Sequence, residues 1–360
     1  MNRKEAAVLT VIKACICIAL VVGFGSPRAS ADEMSPEARK NVILEGVALN
    51  DKGDYDGAMA KYREVLATNP HDSQALYEMT FTLSAKKDWK PCYETAESAL
   101  SFAQEYRALL FTSAGNCRDA AGDGDKAITL FEKGLREFPS DRGLTFNLGV
   151  AYSGKGENRK AGELFERTVR LAPGYASAHF RLAQTYENGG MRVPALLGYL
   201  YYLSLDSGSE RAKAAAEAAL QLLRQGGKKD KSGNTTIEIH KPEAGSDLTT
   251  LDLVLALSAA TDDLDENKGK TEIELVVNQL GLLFDVAGDP KTQDQKDCFA
   301  CQEYLPFFSD LKKHGLVEPF AYVALASLDL PGTADWLKAY GAKIGALRDW
   351  AASKKETGKR

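Results

Sequence analysis

Between residues 39 and 209 the apolar positions repeat on two scales. Within short segments they fall three and four residues apart, which places them on one face of a helix. Across segments the same pattern returns after about 34 residues. Ala58, Cys92, Ala127, Ala161 and Ala195 stand 34, 35, 34 and 34 apart. Four residues after the small side chain comes an aromatic one: Tyr62, Phe131, Phe165 and Tyr199, with Ala96 taking that place after Cys92. Gly46, Gly115 and Gly149 lie earlier in their units, Gly53, Gly122, Gly156 and Gly190 at the expected mid-unit turn, and Pro70, Pro139 and Pro173 at the end. Proline lacks an N–H and restricts the residue before it, so it stops the second helix of a unit. A period of this length predicts tandem helix–turn–helix units that bury their apolar faces only by stacking.

Beyond residue 209 the period is lost. Glu210 to Gln225 predicts a helix with Ala214, Ala218, Leu220, Leu222 and Leu223, suited to cap the last unit. Gly226 to Gly233 is polar and glycine-rich, and 226–248 reads as a linker with one brief alternating segment from Thr235 to His240. Helical spacing resumes with Ile273, Val276, Val277, Leu280 and Phe284, and again with Leu337, Tyr340, Ile344, Leu347 and Trp350. Two further helices are expected over 298–313 and 319–328. The expected organisation is a segment 1–31, an array with its cap over 32–225, the linker, a helical module over 249–354 and a polar tail over 355–360. The aromatics Phe299, Tyr304, Phe307, Phe308, Phe320 and Tyr322 sit at helical spacing and read as core.

Composition narrows the partners. The 360 residues are 44% hydrophobic and 26% charged, ordinary for a globular chain. Removing residues 1–31 leaves 41 basic against 49 acidic residues, a net of −8. That balance argues against a general nucleic-acid binder. Residues 1–31 resemble an export signal: Arg3 and Lys4, an apolar run from Ala14 to Phe24, then Ala29-Ser30-Ala31 as a cleavage site. Cleavage would start the mature chain near Asp32, in a bacterial periplasm or outside the cell; an uncleaved membrane anchor is the alternative. Four cysteines would remain, Cys92, Cys117, Cys298 and Cys301, in a compartment that permits disulfides. The repeat register puts Cys92 and Cys117 on neighbouring helices, where a bridge is geometrically possible.

Laid out in units, the chain resembles the tetratricopeptide repeat family. The fourth unit matches best, with Leu148-Gly149, Tyr152, Gly156, Ala161, Phe165 and Pro173; the second departs most, keeping Met79, Leu83, Trp89 and Cys92. The resemblance covers residues 39–209 and implies an all-α fold, a right-handed superhelix of about five repeats plus a capping helix, followed by the helical C-terminal module. It also implies a binding scaffold, with the first helices lining a concave groove. Some members hold the carboxylate end of a partner there, using lysines, asparagines and an arginine. Thr112, Asn116, Asn147, Ser177 and Arg181 occupy the matching positions, so both asparagines and the arginine are kept and both lysines are missing. Asparagine can donate to and accept from a peptide backbone, and arginine can fork onto a carboxylate. Phe146, Phe180 and Gln184 are expected to flank the groove.

For Cys298-Phe299-Ala300-Cys301 the residues leave three readings: a structural disulfide or buried thiols, a redox pair at a helix start capped by Asp297, or half of a metal site. His71, His179, His240 and His314 are scattered, and no phosphate loop or nucleophile elbow is present. The expectation is therefore a non-catalytic exported scaffold for a peptide or protein, without cofactor, metal or nucleic acid. The alternatives are a thiol-active C-terminal module docked by the repeats, and a self-assembling envelope protein.

Overall fold

A computed structural model describes residues 34–229, 235–237, 248–261, 267–289 and 298–357. The expected signal segment, His240 and Asp297 lie outside these residues. The chain divides into two compact units, one ending at Tyr106 and the other starting at Arg107.

The first unit holds two helix pairs: α1 (Pro36–Asp51) with α2 (Tyr55–Thr68), and α3 (Ser73–Ala85) with α4 (Trp89–Leu100). Asp54 and Asp72 cap α2 and α3 by accepting from Gly57 N at 3.0 Å and Ala75 N at 2.9 Å. Ile43, Ala58, Tyr62, Val65, Leu83, Cys92 and Ala96 form its core. Behind them, Thr82 Oγ1 donates to Asn50 Oδ1 at 2.8 Å and ties α3 to α1.

The second unit begins with three more pairs: α5 (Arg107–Ala120) with α6 (Gly124–Glu137), α7 (Arg142–Gly154) with α8 (Asn158–Leu171), and α9 (Ala176–Asn188) with α10 (Arg192–Leu205). The period has the physical basis expected of it. A Cβ on Gly149 would lie 2.8 Å from Phe165 Cε1, so glycine is what lets α7 lie against α8. The turn inside a pair needs a left-handed residue, and Gly53, Gly122, Gly156 and Gly190 supply it at φ 80, 85, 76 and 73°. In the second pair the same place falls to Lys87, at φ 62°. Polar contacts repeat too: Tyr152 donates to Glu132 at 2.9 Å, and Tyr186 to Glu166 at 3.0 Å, one period later.

The helix α11 (Glu210–Arg224) covers α10, as a cap should. It does not end the core. A short antiparallel pairing follows, β1 (Gly227–Lys229) with β2 (Thr235–Ile237), with Gly227 opposite Ile237. These strands fall inside the segment expected to be a linker and are the exception to an otherwise helical fold. Next come α12 (Thr249–Ala260), α13 (Glu272–Ala287), α14 (Phe299–Glu303), α15 (Leu305–Lys313), α16 (Val317–Ala324), a 3-10 turn (Ala326–Leu328), α17 (Thr333–Ala339) and α18 (Gly341–Thr357). Two expected helices are broken. Residues 298–313 break at Tyr304, and the stripe from Leu337 to Trp350 breaks at Tyr340, whose φ of −112° and ψ of 41° leave the helix.

Within the second unit one continuous core runs from Ala161 and Phe165 through α10 and α11 to Phe284, Phe308, Phe320 and Trp350. The module packs on α10, whose residues 192–200 are all buried. A helix apolar on every side must be covered on every side, so the last repeat and the module fold as one body. The aromatics Phe299, Tyr304, Phe308, Phe320 and Tyr322 are buried there, as the spacing suggested.

Candidate functional site

Structural side chains use the faces of the repeat helices that meet other helices, which leaves one face of each first helix to solvent. In the second unit this face carries the residues singled out from the sequence. Asn116 on α5 and Arg181 on α9 are exposed, and Asn147 on α7 is half-buried. Asn147 and Arg181 are 34 residues apart and hold equivalent places in successive pairs. Asn116 lies one turn further along its own helix than that place. Arg181 Nη1 donates to Gln184 Oε1 at 3.2 Å, which spreads the guanidinium along the α9 surface. Thr112 Oγ1 is turned back onto the Ala108 carbonyl at 2.9 Å. Ser177 Oγ accepts from Arg211 of the cap at 3.1 Å, so the cap already uses it.

Phe146 is half-buried and Phe180 is enclosed. Phe146 packs against Phe165 and, edge-on, against Tyr175 with centroids 5.0 Å apart. Phe180 is only 8% exposed, enclosed by Tyr199 and Tyr202 and covered by the Arg211 guanidinium. Both rings stabilise the stack of pairs, since large aromatics gain most from burial. What remains exposed on the face includes the polar groups of Asn116, Asn147 and Arg181 together with Leu109, 42% exposed on α5. The amides and the guanidinium suit hydrogen bonds to a peptide backbone or carboxylate.

Cys298 and Cys301 are bonded to each other, with Cα atoms 5.2 Å apart, and both are fully buried. Cys298 is itself the cap of α14, its sulfur accepting from Cys301 N at 3.1 Å. Cys92 on α4 and Cys117 on α5 are each buried. Among the described residues no three or more histidine, cysteine or acidic side chains converge as metal ligands would. His71 is exposed beside the Phe102 ring, and His314 is exposed against its own helix.

Two buried polar groups escaped the sequence reading. His179 is enclosed between α9 and the C-terminal helices. Its Nε2 donates to the Pro173 carbonyl at 2.8 Å, and its Nδ1 then accepts from Tyr304 OH at 3.1 Å. Tyr201 stacks on the ring at 4.4 Å. Burial pushes the imidazole down to about 4, so it is neutral at pH 7. Arg192 on α10 donates from Nε to the Leu222 carbonyl at 2.9 Å and from Nη1 to Asp252 Oδ1 at 3.3 Å, joining α10, α11 and α12. The pair's side chains are 1% and 5% exposed. Only the apolar run around Arg192 hinted at either. A cleft of about 660 Å³ also opens beside α13, lined by Asn278, Leu282, Asp285 and Lys312. Lys312 is already held by the Gly281 carbonyl and Asp285. Among the described residues no helix is long and apolar enough to cross a membrane.

Comparison with known proteins gives the repeats their family. Residues 107–176 match the tetratricopeptide repeat profile. No curated protein matches the chain. Among solved structures, a thermophilic repeat protein of Thermus thermophilus is similar at 22% identity, over 51% of this chain and 100% of that one, with a TM-score of 0.45. PilF of Pseudomonas aeruginosa is similar at 19% identity over 52% of this chain and 84% of its own, with a TM-score of 0.47. YrrB, described as a repeat protein with an unusual peptide-binding site, is similar at 19% identity over 50% and 89%, with a TM-score of 0.39. The profile thus identifies tetratricopeptide repeats at residues 107–176, and helix pairs recur every 34 or 35 residues on either side of that stretch.

Proposed function

We propose that this protein is an exported, non-catalytic scaffold that holds a peptide or protein segment on the first helices of its repeats. One observation carries the reading. Asn116, Asn147 and Arg181 present polar groups to solvent from α5, α7 and α9, while the groups needed for packing occupy the other faces. Asparagine amides would bond the partner's backbone, and Arg181 would meet a carboxylate. Loss of the two family lysines weakens capture of a terminal carboxylate and shifts the balance toward backbone recognition. Export rests on the basic, apolar and A-x-A features of residues 1–31.

The burial of both Cys298 and Cys301 supports a structural bond over thiol exchange, because an attacking thiolate must reach a sulfur. The test is affinity capture from a cell-envelope fraction with the wild type and with Asn116→Ala, Asn147→Ala, Arg181→Ala combined. The expected outcome is a protein retained by the wild type and lost, by roughly tenfold or more, from the variant. Helicity and melting should be unchanged, since these side chains lie at the surface. An identical set of retained proteins would overturn the groove assignment.

A further inference from the structure

Three of the C-terminal helices meet around one cation. Glu318 on α16 accepts from Trp336 Nε1 on α17 at 3.1 Å, and its other carboxylate oxygen pairs with Lys343 Nζ near the start of α18. The same Nζ lies 4.7 Å from the Tyr340 ring centroid and 5.7 Å from a Trp336 ring centroid, within the range of a cation–π contact. Tyr340 and Trp336 are themselves neighbours, with centroids 4.9 Å apart. Tyr322 stacks behind Trp336 at 4.1 Å with the ring planes within 10°. Two rings and a carboxylate thus form a box for an ammonium group. Its floor, Trp336 and Tyr322, is buried, while Tyr340 and the Lys343 side chain are exposed at its mouth.

We propose that this box binds the head of a small quaternary ammonium compound of the choline type, which displaces Lys343. Aromatic faces with an acidic partner are the chemistry that selects such a head. They suit the resident lysine less well. Its ammonium is compact, strongly hydrated and carries three N–H donors, and among the described residues Glu318 is the one hydrogen-bond acceptor it has. Holding so long a side chain in one place also costs rotamer entropy. A quaternary head has no donor to leave facing a ring. Room for the rest of the compound is at hand, because Glu318 also lines the cleft of about 660 Å³ beside α13. A free compound is the source rather than a lipid surface. Asp335 and Lys338, the exposed neighbours of Trp336 on α17, are charged where insertion into a bilayer would need apolar side chains. The site uses none of the repeat helices.

The experiment titrates the full chain with choline at constant ionic strength and follows the indole N–H resonances. There are three, from Trp89, Trp336 and Trp350, and Trp336→Phe identifies the one that matters. The Trp336 resonance is expected to shift saturably, and the other two to stay, which also reports the fold of each variant. The neutral isostere of choline, with carbon in place of the nitrogen, should produce no such shift. Lys343→Ala empties the box and should tighten the choline Kd roughly tenfold, while Lys343→Arg keeps a resident cation and should not. Glu318→Gln retains an acceptor for the indole, and Tyr340→Leu retains bulk; each should weaken binding to the Lys343→Ala chain roughly tenfold. No saturable shift in either the wild type or Lys343→Ala, equal binding of the isostere, or an unchanged Kd on Lys343→Ala would overturn the proposal. Sedimentation with phosphatidylcholine vesicles separates the two sources of the head. The chain is expected to stay in solution, and co-sedimentation lost on Glu318→Gln would assign the box to a lipid surface instead.

Discussion

At the scale of single residues the repeat is a set of backbone and contact requirements. The turn within each helix pair takes a left-handed residue, and in the second pair Lys87 meets that need at φ 62°. A side chain there costs about 1–2 kcal/mol, while glycine adds entropy to the unfolded chain. Lys87→Gly is therefore expected to stabilise by about 0.5–1 kcal/mol, read as a higher urea midpoint with unchanged slope. His179 sets a pH dependence. Its folded pKa, about 4, lies below its unfolded value of about 6.5, so between these the unfolded chain binds more protons. Its contribution is complete above pH 6.5 and is lost as the pH falls toward 4. His179→Phe should flatten the stability profile over that window. At pH 7.5 it should cost about 1–3 kcal/mol, because Tyr304 OH loses its acceptor. An unchanged slope between pH 4 and 6.5 would exclude His179 as its source. The turn glycines were legible in the sequence because each acts on its own backbone. His179 was not, because its partner lies 125 residues away.

At the scale of elements, helices whose neighbours are adjacent in sequence were readable and those with distant neighbours were not. The first and second helices of every pair, the cap α11 and the apolar face of α13 appear where the spacing placed them. The stripe from Leu337 to Trp350 misled, because helical spacing continues in number across a break. There Trp336, stacked on Tyr322 at 4.1 Å, anchors α17, while Trp350 Nε1 donates to Asp310 at 2.9 Å and anchors α18. The pair Arg192 and Asp252 tests what joins α10 to α12. Arg192→Met strands a buried carboxylate and is expected to cost about 3–5 kcal/mol. Adding Asp252→Leu removes the stranded charge and should recover most of that loss. Denaturation of both variants decides it; a double variant no more stable than the single one would show that Arg192 acts by packing instead.

At the scale of the whole molecule, the division of labour differs from the division of sequence. The period marks five pairs, yet the last two share a core with helices that carry no period. A chain ended after Gln225 would uncover the outer side of α10, and with it the seats of Tyr201 and His179. It is expected to lose cooperative melting or aggregate, measured by calorimetry and light scattering against the full chain. Sharp, reversible melting of that fragment would restore an independent module. What the sequence determined by itself is the repeat: small residues at close approaches, glycines in turns and prolines at helix ends are local constraints, visible wherever they recur. Tertiary structure alone decided that Phe180 is enclosed, that Cys298 and Cys301 are sealed in the core, and that α10 is wrapped by the C-terminal helices. Those outcomes depend on which surfaces meet across long stretches of chain, and apolar burial favours any such meeting without naming its partner.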